Sequence, residues 1–242
     1  MELNLSYLDL FLIPPYLSTH NIENIVNEIK DTIHNIKFTI RAPSFSENLA
    51  SILSSIRDVT IKEYIETIEI AHRLSLDGVI IKPGMMFHTE KKCKADIMKI
   101  FEENLRKLTE LASHYGVKLF LENYYYPYEI LRRAESFSYM YELIKDYENV
   151  GFALNIPHLL ESRSSVDFLI RNCNDKVLSK IKLIYLGLRP SPWEKSEYIQ
   201  SITHSYYEFI KLRKKIKPEY IVAASIDPTV TKLLIDYLRE SA

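Results

Sequence analysis

The chain carries 242 residues, 47% hydrophobic and 26% charged, with 31 basic side chains against 32 acidic ones. That length suits one α/β barrel or two small domains, and the composition is that of an ordinary globular protein. The balanced charge excludes a global basic field for gripping nucleic acid, leaving room only for a local patch, and no apolar run reaches the ~18 residues that span a membrane.

Residues 3–13, LNLSYLDLFLI, open the chain as a strand that contains Asp9. The N-terminal MELNLSYLDLFLIPP has acids and no basic leader, so a signal peptide is not expected. Next, IENIVNEIKDTIHNI sets Ile22, Ile25, Ile29, Ile33 and Ile36 on one helical stripe. IKFTI, residues 36–40, is a strand ending at Arg41. KEYIETIEIAHRLS repeats the helical spacing with Ile65, Ile68 and Leu74. DGVII, residues 77–81, reads as a strand buried on both faces, yet it runs into Lys82 before Pro83 and Gly84 turn the chain. A lysine at the end of a core strand is costly unless an acid or water meets it. FEENLRKLTELASHYG is a helix stopped by Gly116. Further strands follow at 117–122 (VKLFLE), 150–155 (VGFALN), 181–188 (IKLIYLGL) and 220–225 (YIVAAS), and VTKLLIDYLRE closes as a helix.

Strands alternating with helical segments predict parallel strands joined by helical crossovers. The linkers are too short for a domain boundary, so residues 1–242 are expected to form one domain. An open doubly wound sheet and a closed (β/α) barrel both fit. No Gly-rich fingerprint follows the first strand, which counts against dinucleotide binding. Five strands end on Arg41, Lys82, Glu122, Asn155 and Arg189. In a barrel these ends share one face, where active sites lie, and that favours the barrel.

Several strand ends together resemble the xylose isomerase-like TIM barrels, a superfamily that includes sugar phosphate isomerases and epimerases and the endonuclease IV group (AP endonuclease family 2). TIRAPSFSENLAS with the IR pair of SIRD is similar to the family's HAP strand and following NLAS helix start; GVIIKPG is similar to its HPG strand; LFLENYYYP to LEN; GFALNIPH to LDxxH. IYLGLRP and IVAASIDP fall where the seventh and eighth strands carry further metal ligands. The resemblance implies a divalent metal site at the strand ends, and this sequence departs from it. Arg41 and Lys82 stand where two histidines are usual, Asn155 where an Asp is usual, Tyr185, Gly187 and Arg189 at the seventh strand, and Ala224 where the eighth carries Glu. Glu122 and His158 remain. Arg and protonated Lys offer no lone pair to a cation, and a catalytic metal usually keeps three or more protein ligands. The expectation is therefore a lost metal site, no other cofactor, and fixed cations that orient a small anionic ligand.

On this resemblance Glu122, His158 and Lys82 are the catalytic candidates, and Arg41, Asn155, Arg189, Asp9, Tyr124 and Trp193 the ligand-binding ones. The expected function is a metal-independent sugar phosphate isomerase or epimerase, or a retired relative. The alternatives are an endonuclease IV-like nucleic-acid protein, which the missing ligands and neutral charge disfavour, and a non-catalytic interaction module. Each residue also has a plain structural reading. Lys82 and Glu122 would form an interior ion pair, Arg41 and Arg189 would pair with nearby acids, and His158 would be a wall residue. The YYYPY tract would be a lid, Trp193 a loop wedge, and the basic run 211–219 a solvated helix end. His72, His88, His114 and His204 have no metal-site spacing.

The family usually places one more strand–helix unit before HAP. Here one strand precedes it, with Asp9 near the position of a family carboxylate. A barrel of about seven strands leaves a seam, to be covered by residues 1–6, by a partner chain in a homodimer, or by direct closure. Cys93 and Cys173 lack a partner motif, which points to a reducing cytoplasm. A lone Gln (Gln200) amid many ionic side chains points to a thermophilic source.

Overall fold

The computed structural model describes residues 7–11, 24, 27–28, 37–43, 47–86, 94–187, 195–224 and 232. Seven strands lie in one sheet in chain order: β1 (Tyr7–Phe11), β2 (Lys37–Arg41), β3 (Gly78–Ile81), β4 (Lys118–Glu122), β5 (Val150–Asn155), β6 (Ile181–Gly187) and β7 (Tyr220–Ala224). Every pairing is parallel. Each strand falls within one of the runs that periodicity marks out, except that β2 continues one residue further, through Arg41. β1 and β7, the two ends of the sheet, approach each other closely, and no hydrogen-bonded ladder joins them among the described residues. The sheet is therefore curled into a TIM-type barrel with one seam.

The described helices are α1 (Ser54–Arg73), α2 (Lys94–Tyr115), α3 (Ala134–Ile144), α4 (Ile156–Glu161), α5 (Val166–Asn172), α6 (Asp175–Ser179) and α7 (Lys195–Arg213). None is long and apolar enough to cross a membrane. α2 stops where Gly116 takes a left-handed φ of 68°, as its sequence predicts. The helices expected over 22–36 and 230–240 lie almost wholly outside the described residues.

Strand periodicity separates two cores. One side of the strands, with Ile40, Val79, Leu121 and Phe152, packs under the helices against Tyr64, Phe101 and Phe137. The other side fills the lumen with Ile80, Phe120, Ala153, Leu183, Tyr185, Tyr220 and Val222. Two residues beyond Ile80, Phe120 and Ala153, the same side carries Lys82, Glu122 and Asn155. The period of two thus delivers polar groups above an apolar plug, at the C-terminal mouth.

Asn48 ties two mouth loops together. Its Oδ1 accepts from the backbone N–H of Met85 and of Ala50, each at 3.0 Å, and its Nδ2 donates to the Met85 carbonyl at 2.9 Å. Gly84 sits against this staple with φ 130°, and a Cβ there would meet Asn48 Oδ1 at 2.4 Å. Only glycine fits that close approach.

Candidate ligand site at the barrel mouth

Arg41 and Lys82 at the mouth each meet an acid, and the partners differ from the simplest expectation. Lys82 does not pair with Glu122. The Arg41 guanidinium, reaching from β2 across β3 to β4, forms the ion pair with Glu122. Lys82 Nζ lies 2.7 Å from Oε1 of Glu129, a residue of the β4–α3 loop. All four side chains are nearly sealed from solvent: 9% and 2% exposed for Arg41 and Glu122, 4% and 1% for Lys82 and Glu129. An aromatic ring covers each cation. Arg41 Cζ is 4.7 Å from the Tyr185 ring centre, and Lys82 Nζ is 4.7 Å from that of Tyr124.

Glu122 is engaged on both oxygens. Oε2 faces Arg41, and Oε1 accepts from Asn155 Nδ2 at 2.9 Å. Asn155 caps α4, its Oδ1 accepting from the His158 backbone N–H at 3.1 Å. Asn123 links the same strands, accepting from Asn155 N at 2.7 Å and donating to Asn155 O at 3.1 Å. His158 Nδ1 is 3.0 Å from the Asn123 carbonyl, so Nδ1 is the protonated nitrogen and Nε2 keeps a lone pair. Burial, with help from the Arg41 and Lys82 charges, pushes His158 down to about 4, and the ring is neutral near pH 7. Burial pushes the Glu129 carboxyl up to about 7, against the opposing pull of Lys82.

The tyrosine tract forms a folded-back loop. Met86 N donates to Tyr128 O at 2.7 Å and Ile130 N to Gly84 O at 3.0 Å, so the β4–α3 loop pairs antiparallel with the β3 loop. That pairing delivers Glu129 to Lys82. The Tyr124 and Tyr125 rings lie 4.7 and 5.2 Å from the His158 ring. Tyr125 donates its hydroxyl to Tyr126 at 2.8 Å.

Arg41, Lys82, Glu122, Asn155, His158 and Tyr124 are thus brought together at the mouth. Asp9 lies on β1 in register with Thr39. Arg189 and Trp193 lie outside the described residues. The basic run 211–219 is partly neutralised: Lys211 meets Asp167 at 2.7 Å and Glu208 at 2.6 Å. Glu129 is the residue that sequence reasoning missed. Its one signal is an acid seven residues after Glu122, just beyond Pro127, in a tract without periodicity.

A divalent cation of the kind the family resemblance implies is not matched by these donors. Arg41 and Lys82 present N–H groups and no lone pair, and both Glu122 oxygens are already bound. Among the described residues no three His, Cys, Asp or Glu side chains converge as a metal site.

A family model described as xylose isomerase-like TIM barrel matches residues 2–195. An uncharacterised protein of Methanocaldococcus jannaschii is 25% identical over 205 residues, covering 84% of this chain and 67% of that protein. The crystal structure of a D-tagatose 3-epimerase-like protein superposes with a TM-score of 0.78 at 20% identity, over 98% of this chain and 88% of the other. Endonuclease IV of Thermus thermophilus superposes with a TM-score of 0.63 at 16% identity, over 94% and 85%. At these identities the two structures share the fold.

Proposed function

Because this chain belongs to the xylose isomerase-like TIM barrel family, we propose that its mouth binds a small sugar-type compound carrying an anionic group, with protein cations in the place of a divalent metal. The observation that carries this reading is the Arg41–Glu122 ion pair, which sets a guanidinium against the carboxylate best suited to hold a metal. Tyrosine rings beside a polar network suit the apolar faces and hydroxyls of a sugar. The epimerase neighbour supports the same ligand class.

The reaction that fits one base is a metal-independent isomerisation. Glu122 and His158, each held by neighbours, position the site. Glu129 moves the proton and Lys82 holds the developing charge. The Glu129 carboxylate takes the hydrogen alpha to a carbonyl as a proton, and the bond's electron pair passes to the carbonyl oxygen. The Lys82 ammonium stabilises that enediolate, and Glu129 delivers the proton to the neighbouring carbon while the hydroxyl proton there passes to the former carbonyl oxygen, which completes the isomerisation. A carboxyl poised near 7 suits this exchange.

Titration calorimetry with hexoses and hexose phosphates, with and without EDTA, tests the binding. Affinity unchanged by chelator is expected, and binding that disappears with EDTA overturns the reading. Proton NMR in D2O tests the chemistry. Deuterium is expected at the carbon next to the carbonyl, with exchange slowed at least ~100-fold in Glu129→Gln. Binding without exchange identifies a retired, non-catalytic relative.

A further inference from the structure

We propose that the anionic group of the ligand is a phosphate monoester, held at an arginine corner on the rim of the mouth formed by Arg132, Arg133 and Arg163. This rests on reading the mouth as a sugar-type site and supplies what the ion-paired residues lack. Arg41 and Lys82 are each neutralised by a buried carboxylate, so a second anion would have to compete with Glu122 or Glu129 there. The corner has no such competitor in contact: among the described residues none of its guanidiniums forms a salt bridge.

Ser162, fully buried in the turn after α4, organises the corner. Its carbonyl accepts from Arg133 Nε at 3.2 Å. Arg132 Nε donates to the Tyr125 carbonyl at 3.0 Å. Both side chains are anchored through Nε, which leaves the paired Nη groups to grip a tetrahedral anion. Arg163 follows Ser162 directly and projects from an exposed position. Arg132 and Arg133 precede α3, an 11-residue helix whose N-terminal pole adds to the positive field. Burial first, and then the charges of Arg133 and Arg163, pull the Arg132 pKa down. Glu135 and Glu161 stand two residues from Arg133 and Arg163 in the chain.

The corner is continuous with the mouth. Arg132 holds the Tyr125 backbone, the Tyr125 ring lies 5.2 Å from His158, His158 lies 4.7 Å from Tyr124, and the Tyr124 ring covers Lys82. A sugar lying along these rings places its terminal phosphate on the arginines and its carbonyl end toward Lys82.

The test is calorimetric titration of the full chain with inorganic phosphate, a hexose 6-phosphate and the parent hexose. The wild type is compared with Arg132→Gln/Arg163→Gln and with Arg163→Gly. The glycine variant relieves the left-handed backbone of Arg163, φ 60°, so it keeps the fold while removing a guanidinium. The double variant is expected to lose at least tenfold in affinity for phosphate and hexose phosphate, with hexose affinity unchanged, and the glycine variant to lose a smaller factor without a fall in melting temperature. Higher salt weakens the wild-type binding. Phosphate bound equally by all three proteins, or by none, overturns the corner and leaves the sugar reading standing. Arginine-dependent phosphate binding with no response to either hexose compound overturns the sugar reading and leaves the corner standing.

Discussion

Two Lys–Glu pairs of nearly equal length sit at opposite ends of the barrel. At the mouth, Lys82 and Glu129 are 2.7 Å apart and 4% and 1% exposed. At the base, Lys118 and Glu219 are 2.6 Å apart and 43% and 37% exposed. Burial acts on both carboxyls, and the outcomes have opposite sign. Glu129 is driven up to about 7. Glu219, less deeply buried, is held below the ordinary range by the Lys118 hydrogen bond and charge and by a second cation, Lys182 at 3.4 Å, against its desolvation. Solvent access, not separation, decides which pair is fully ionised. The basal pair is ordinary surface electrostatics. The pair at the mouth is maintained against desolvation, as expected of a group kept for a task.

The largest test of this contrast is to leave one buried partner alone. Lys82→Met strands Glu129 and is expected to cost about 3 kcal/mol, while Lys82→Met/Glu129→Leu restores most of it. Urea unfolding of both variants measures the difference. Equal stability of the single and double variants would place the pair in a wetter setting than its exposure indicates.

A second test uses pH. Glu129 binds its proton more tightly in the folded state than in the unfolded chain, where 4.5 is usual, so stability falls as pH rises from about 4.5 to 7. His158 binds its proton less tightly when folded, so stability rises with pH from about 4 to 6.5. Each amounts to about 3 kcal/mol over its window, and they nearly cancel between pH 4.5 and 6.5. Glu129→Gln should unmask a rising slope and His158→Asn a falling one, read as unfolding free energy against pH. Parallel profiles for the two variants would reject both assignments. The smallest effect is expected at the base. Glu219→Gln should cost under about 1 kcal/mol, less still in high salt, and a larger loss would erase the contrast.

Much of the mouth is written in the strands. A period of two carries from Ile80 to Lys82, from Phe120 to Glu122 and from Ala153 to Asn155, so these groups fall on the lumen side once the strands are found. The partners are not written there. Lys82 could meet Glu122 or Glu129, and the choice depends on a loop pairing between Gly84 and Ile130 that no periodicity announces. The arginine corner joins residues 132–133 to residue 163 through Ser162, a contact set by how α4 ends rather than by spacing. Asn48 is visible in the sequence as part of a motif, but its role as a staple emerges only with the close approach of Gly84.

The seam between β1 and β7 bears on the order of assembly. Every ladder in the sheet joins strands that are neighbours in the chain, so each closes a short loop. The approach of β1 to β7 closes almost the whole polypeptide and gains no ladder among the described residues. Loop-closure entropy makes that the last contact to form. The backbone amides bordering it should accordingly be the first in the sheet to take up deuterium, a breathing line along which the cylinder opens while its remaining staves stay joined.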